Sequence, residues 1–245
     1  VIDPKTQTRL LKRHVYRLGK NKSSIFKTEK TIIHPVDRRL LKKDLSDAEL
    51  LSLPGDEKKI FLVDFKNGTH IMREIFRLRE ITFRKVGEGT GNKYDFDQYD
   101  HWYKHIILWD EEKLEIVGSY RLGLCKEILQ QHGLKGIYNA SMYQFSDKFV
   151  KILSSAVELG RSFIQQKYWR SNALDSLWQG IGSYLIKYPD VRYLFGAVSI
   201  SDYYSSNAKN LIVYFYKKWF STEENLAEAN NPYIMTKQQK MEAAQ

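Results

Sequence analysis

The sequence predicts an α/β fold with a mixed sheet flanked by helices, and three patterns carry that prediction. Two apolar runs, His105 to Trp109 and Glu115 to Leu122, flank the turn-forming Asp110-Glu111-Glu112-Lys113 and read as an antiparallel pair. Before them Ile71, Met72, Ile75, Phe76, Ile81 and Phe83 recur at helical spacing, from a cap at Thr69 to Gly87. The last hundred residues then alternate. A strand from Ala156 to Ile164 is followed by an amphipathic helix from Ser171 with Leu174, Leu177, Trp178, Ile181 and Leu185. An apolar strand from Arg192 to Ile200 and an aromatic-rich helix from Ser206 to Phe220 complete the series. A strand, helix, strand order after a hairpin gives a sheet with parallel and antiparallel neighbours.

The remaining elements follow from local signals. Ser46-Asp47-Ala48-Glu49 has the form of a capping box and predicts a short helix through Leu53, stopped by Pro54-Gly55. Lys59 to Asp64 reads as a strand, Asn67-Gly68 as a turn, and Lys126 to His132 as a helix. Gly87-Glu88-Gly89-Thr90-Gly91-Asn92 lacks the strand-before, helix-after setting of a dinucleotide fingerprint and reads as a mobile lid or connector. The polar tail from residue 221 is expected to be weakly ordered.

Composition bounds the function classes. With 245 residues, 42% of them hydrophobic, and 12 Phe, 16 Tyr and 5 Trp, the chain buries a sizeable core, which excludes disordered and low-complexity classes. The lone Cys125 forms no internal disulfide, so a reducing, cytoplasmic setting is expected. No apolar run approaches the roughly 18 residues of a membrane span. The net charge of +10 is unevenly placed: residues 1–45 hold thirteen Lys/Arg and four acids, while the other 200 residues are nearly balanced. That partition predicts a basic arm over residues 1–45, a catalytic body over 46–220 and a tail over 221–245. Within the arm Leu10, Leu11, His14, Val15 and Leu18 mark a basic amphipathic helix ending at Gly19, suited to anionic lipid headgroups or to a preceding domain. A nucleic-acid partner is disfavoured because the body is neutral and the arm has no stacking platform.

Several groups have chemistry in reach. Asp95, Asp97 and Asp100, with His105 in the spacing D-x4-H, suit an ammonium group better than a metal ion. Arg79 and Phe83 share a helix face, and Arg121 shares a strand face with Ser119, where it is able to clamp a carboxylate. Glu158 and Arg161 reach one site only if their strand is bulged, and Gly160 is the residue a bulge would use. Ser171-Asn172 opens a helix whose N-terminus attracts anions. His105 and Asp110 also match the H-x4-D pattern of glycerolipid O-acyltransferases, but across an apolar strand, which discounts it.

In order, Arg79 with Phe83, Asp97 and Asp100 with His105, Val117-Gly118-Ser119-Tyr120-Arg121-Leu122, Glu158-Leu159-Gly160-Arg161, Leu177-Trp178-Gln179-Gly180-Ile181 and Tyr193-Leu194-Phe195-Gly196-Ala197-Val198-Ser199-Ile200 resemble the bacterial ornithine-lipid (hemolysin-like) N-acyltransferases of the GNAT fold. A more distant likeness is to acyl-homoserine-lactone synthases. The resemblance implies a mostly antiparallel sheet with one splayed parallel pair, and transfer of a (3-hydroxy)fatty acyl group from acyl carrier protein to the α-amine of ornithine, glycine or a similar amino acid, giving a lyso-aminolipid. No bound cofactor or metal is implied, the donor being an acyl-phosphopantetheine thioester. The pyrophosphate signature Q/R-x-x-G-x-G/A is missing after Glu158, which favours the carrier protein over coenzyme A.

The same resemblance implies roles: Glu158 as base, Gly160 at the oxyanion, and Tyr203 or Tyr204 as acid to the leaving thiolate. Arg79, Phe83, Asp97, Asp100, His105, Arg121 and Arg161 fall on the substrate side, and Ser171, Asn172 and Ser199 on the donor. Some members of the family are fused behind an O-acyltransferase domain, and the non-Met start and basic arm resemble that junction. Competing expectations are a lactone-forming signal synthase and a catalytically idle membrane-tethering module.

Overall fold

The computed structural model of the chain describes residues 2–26, 28–55, 57–201 and 203–243. The arm begins with α1 (Pro4–Gly19), capped by Asp3, whose carboxylate accepts the Thr6 amide N–H at 3.0 Å. Its apolar stripe is open: Leu11 and Val15 are each 57% exposed. His14 alone is buried, its Nδ1 facing the amide N–H groups of Ile25 and Phe26 at 3.2 Å.

A second helix, α2 (Arg38–Ser46), follows, with Asp37 as its cap. Leu41 and Leu45 on its inner face are buried in the core, so the body reaches back across the expected boundary at residue 45. The Asp44 carboxylate accepts the amide N–H groups of His70 and Ile71 at 2.8 and 3.1 Å. It thus satisfies the start of α3 (Thr69–Lys85), whose N-cap is Gly68 and not Thr69 as expected.

The capping box at Ser46 opens no helix. Glu49–Gly55 is instead strand β1, paired antiparallel with β2 (Lys58–Val63) at the sheet edge, where Pro54 breaks no ladder on the far side. After α3 come β3 (Lys104–Asp110), β4 (Glu115–Leu124), α4 (Cys125–His132), β5 (Tyr143–Phe145), α5 (Asp147–Ile152) and β6 (Ala156–Ile164). Then follow α6 (Ala173–Lys187), β7 (Tyr193–Phe195), α7 (Ser206–Trp219), β8 (Ala227–Ala229) and α8 (Lys237–Ala243). The tail is therefore built into the structure, because β8 pairs with β5 in a small second sheet.

The main sheet runs β1-β2-β3-β4-β6-β7, antiparallel throughout except for the parallel pair β6 and β7. This is the mixed, mostly antiparallel sheet that the sequence predicts. Both faces are covered, which explains the continuous apolar run of β3. Ile107 and Trp109 face the core under α3, and Ile106 and Leu108 face Leu177 and Ile181 of α6. Gly180 lets α6 lie close, since a Cβ there would stand 2.8 Å from Ile60.

The expected strand over residues 192–200 is only three residues long. β7 pairs with Ala156 to Glu158, and Gly196 then crosses β6 so closely that a Cβ would stand 2.1 Å from the Leu159 carbonyl oxygen. Beyond it the chain leaves the sheet, and Val198 is 91% exposed. Among the described residues no helix is long and apolar enough to cross a membrane.

Leu45 tests whether α2 belongs to the body. Leu45→Ala should lower unfolding stability by about 2–5 kcal/mol in a urea titration, the range of a buried leucine truncation, whereas a solvated arm would show no change.

Candidate active site

The acidic segment after the glycine-rich loop folds as a tight turn around its own carboxylates. Asp97 accepts the amide N–H of Tyr99 at 3.0 Å, and Asp100 returns to accept the amide N–H of Asp97 at 2.9 Å. The turn delivers three carboxylates to three arginines from three different elements. Arg79 of α3 donates to Asp100 at 2.8 Å and to Asp95 at 3.2 Å. Arg121 of β4 donates to Asp97 at 2.7 Å and to Asp100 at 3.1 Å. Arg161 of β6 reaches Asp95 at 3.3 Å and Asp97 at 3.2 Å.

Arg79, Asp95, Asp100 and Arg121 are enclosed, while Asp97 and Arg161 keep a partial outlet to solvent. Burial alone would raise the Asp100 carboxyl, but His105 and the Arg79 and Arg121 charges outweigh it and hold the group well below the usual carboxylate range. Burial lowers His105, which keeps the ring neutral 3.6 Å from Asp100. Arg79, Asp100 and His105, expected to touch a substrate, are thus sealed in and engaged with one another. Arg121 turns its Nε and one terminal nitrogen away from any oxygen, and its guanidinium lies over the rings of Tyr103 and Tyr138 at 5.0 and 5.1 Å.

Those two tyrosines lead to Glu158. Its buried carboxylate accepts the Tyr103 hydroxyl, the Tyr138 amide N–H at 3.0 Å and the Asn139 amide N–H at 2.6 Å. Burial raises its pKa against the pull of those donors. The Tyr103 ring lies across Gly123, the register partner of Glu158, where a Cβ would stand 2.4 Å from the ring. Arg161 reaches the same region because β6 is bulged as expected. Arg121 faces Gly160 and Ser119 faces Phe163, so Tyr120 opposes both Arg161 and Ser162. The left-handed residue is Arg161 at φ 50°, not Gly160.

Residues 78–179, which include α6's N-terminal half, match the acetyltransferase (GNAT) domain family. The chain is 37% identical over 217 residues to a glycine N(alpha)-acyltransferase of Bacteroides thetaiotaomicron, covering 83% of this chain and 64% of that protein. It is 34% identical over 223 residues to a glycine N(alpha)-acyltransferase of Phocaeicola vulgatus, covering 86% of this chain and 68% of that protein. The chain belongs to this N-acyltransferase family. An L-ornithine N(alpha)-acyltransferase of Agrobacterium fabrum is 28% identical over 117 residues, which cover 45% of this chain and 39% of that one. The resemblance read from the sequence is borne out, and the chain spans under two thirds of the length of the Bacteroides relative.

The early end of the β6–β7 pairing leaves the later part of β6 beside a groove of about 340 Å³. Phe83, Val86 and Glu88 form one wall, Ser162 and Ile164 another, and Ser171, Leu174 and Leu177 a third. The expected helix N-terminus is partly occupied, as Ser171 donates to the Tyr168 carbonyl and accepts the Ala173 amide N–H, and Asp175 sits in the first turn. The Asn172 side chain makes no capping bond. Ser199 donates to Glu88 at 2.8 Å, and Tyr203 lies against Gly87, which puts both beside the groove wall. Tyr203 and Tyr204 are exposed. Cys125 is buried, its thiol pushed up to about 12 by burial and then by the Glu158 charge, which excludes it as a nucleophile.

Two parts of the site escape sequence reading. Tyr103, Tyr138 and Asn139 meet Glu158 through residues distant in sequence, and only the glycine at 123 marks the place. The glycine-rich loop is anchored to α3: the buried Glu80 carboxylate accepts from the Thr90 hydroxyl at 2.7 Å and from the Gly91 amide N–H at 2.8 Å.

Breaking the ion network by Asp100→Asn should cost about 3–5 kcal/mol, the range for one partner of a buried pair. Because the folded-state pKa of Asp100 is depressed, its contribution is complete above the unfolded value, near pH 4, and is lost as pH falls below it. Urea midpoints of the parent should therefore fall on acidification more steeply than those of Asp100→Asn. Gly123→Ala should push the Tyr103 ring off Glu158, visible as a lowered melting temperature, while Gly160→Ala, where a Cβ meets open space, should melt like the parent.

Proposed function

We propose that the chain transfers a fatty acyl group from the phosphopantetheine thioester of acyl carrier protein to the α-amine of an amino acid, forming a lyso-aminolipid. The observation that supports this reading most is the juxtaposition of Glu158, buried and raised in pKa, with the splayed end of the β6–β7 pair. The groove beside that splay is apolar along Phe83, Ile164 and Leu174, as an acyl thioester requires, and it ends at the start of α6, to which we assign the donor phosphate. The names of the relatives support glycine ahead of ornithine as the acceptor.

The proposed chemistry begins with an ammonium that is not nucleophilic. Glu158 takes its proton, directly or through water, and the amine nitrogen attacks the thioester carbonyl carbon. The tetrahedral oxyanion is met by backbone N–H at the bulge near Gly160. Its collapse breaks the C–S bond; Tyr203 or Tyr204 gives its hydroxyl proton to the thiolate and recovers the second proton of the amine nitrogen as the amide forms, while Glu158 releases the first to solvent. Arg161 and Asp97, the network members that reach solvent, meet the acceptor's carboxylate and ammonium. The arm, with five basic and no acidic residues in α1, suits an anionic membrane surface or a preceding O-acyltransferase domain.

The test is product analysis by mass spectrometry. The protein with acyl carrier thioester and glycine should release N-acylglycine, and Glu158→Gln should lose at least a hundredfold in kcat while melting like the parent. The acidic limb of kcat/KM should lie above the ordinary glutamate range, near pH 4.3, since burial raises Glu158. Full turnover in Glu158→Gln removes the base, and a lactone formed from S-adenosylmethionine removes the whole reading.

A further inference from the structure

One helix carries an apolar face that the rest of the structure does not cover. Along α7, Leu211, Phe215 and Trp219 recur at i, i+4 and i+8, with Tyr216 and Phe220 on the adjoining row. Exposure runs from 50% at Phe215 to 66% at Trp219, and Asn210 is the one buried residue of the helix. The rings of Phe215, Tyr216 and Phe220 stand 5.5–5.7 Å apart, so the cluster is assembled before any partner arrives. Lys217 and Lys218 leave the same turn, and the Lys218 ammonium lies 5.4 Å from the Trp219 ring centre. From Tyr203 to Thr222 the sequence has no acid.

Beside this face, between α7 and α8, lies a second pocket of about 410 Å³, separate from the groove at β6. Tyr214, Pro232, Ile234 and Met235 supply apolar walls, and Lys217 and Lys240 supply charge. No ion pair among the described residues engages Lys217, Lys218 or Lys240.

Aromatic rings flanked by ammonium groups over an apolar slot match the boundary between phospholipid headgroups and acyl chains. A second copy of the chain fits poorly, because it would bring its own lysines, in a segment without acids, against the same face. We propose that the α7 face docks on an anionic phospholipid bilayer. Trp219 and Phe220 enter the headgroup layer, Lys217 and Lys218 meet lipid phosphates, and the pocket takes one acyl chain. Each lysine held at an anionic leaflet raises partitioning about fivefold.

The experiment is co-sedimentation with vesicles of phosphatidylcholine, with and without phosphatidylglycerol. The full chain carries Leu11→Ser and Val15→Ser, so that the open stripe of α1 does not mask a loss. This parent should bind the anionic vesicles, with a blue shift of tryptophan emission. Trp219→Ser with Phe220→Ser should lower partitioning at least tenfold. Lys217→Glu with Lys218→Glu should lower the preference for phosphatidylglycerol at least tenfold, the basic residues of α1 supplying what remains, and both variants should melt like the parent. Three results overturn the proposal: no sedimentation of the parent with anionic vesicles, equal binding by all variants, or capture of acidic carrier protein or a second copy by this face in place of vesicles.

Discussion

A guanidinium enclosed as Arg79 is would cost several kcal/mol if it were alone, and the site exists because Asp95 and Asp100 meet it. Neither carboxylate belongs to an α-helix or a strand: Asp95 is in a loop and Asp100 in the single 3-10 turn Gln98–His101. Both sit on a segment held by its own backbone bonds, and that segment is also what Arg121 and Arg161 grip. Three arginines and three aspartates make a set that is neutral only when complete. Helix α3, the acidic turn, β4 and β6 therefore reach their places together. The Arg121 guanidinium extends the same constraint to Glu158, because the rings it lies over are those that place the Tyr103 hydroxyl and the Tyr138 amide on that carboxylate.

Glu158 sits on a strand with two duties. Up to Glu158, β6 is an ordinary internal strand, paired on both sides. After it the partner is gone, since Gly196 crosses backbone against backbone and the chain turns out of the sheet. The bulge on the opposite side of β6 rotates Arg161 into a conformation that L-residues rarely adopt, and its two aspartate partners hold it there. The open groove and the sealed ion network are thus consequences of one strand losing regular pairing on both of its edges within a few residues.

The fold was largely legible where periodicity had length behind it. The α3 pattern and the hairpin of β3 and β4 are long enough for period 3.6 and period 2 to be told apart. The segment Glu49–Gly55 was not, because a capping box, three leucines and a Pro-Gly stop also describe one turn of helix. What decides it is the exposed edge of β2, a neighbour that no local pattern records. Residues 192–200 look like a full strand because they are apolar, yet their backbone collides with β6 after the third residue. The site was half legible: the acids, Arg121, Glu158 and Arg161 stand out by type and spacing, and the bulge follows from Glu158 and Arg161 needing to meet. The partners that distinguish a sealed ion pair from an open binding group come from tertiary contacts, so the enclosure of Arg79 and His105 was not visible.

Cys125 has a further consequence. It opens α4 directly after β4 ends, fully enclosed, with its thiol held far above the range in which a thiolate forms. This chain thus presents no cysteine thiol to solvent while keeping a soft, polarizable atom a few residues from Gly123 and the Tyr103 ring. A cysteine introduced anywhere on the surface would be the single site of alkylation or spin labelling, and the motions of α1, α7 and the groove can be followed one at a time without first removing the native thiol.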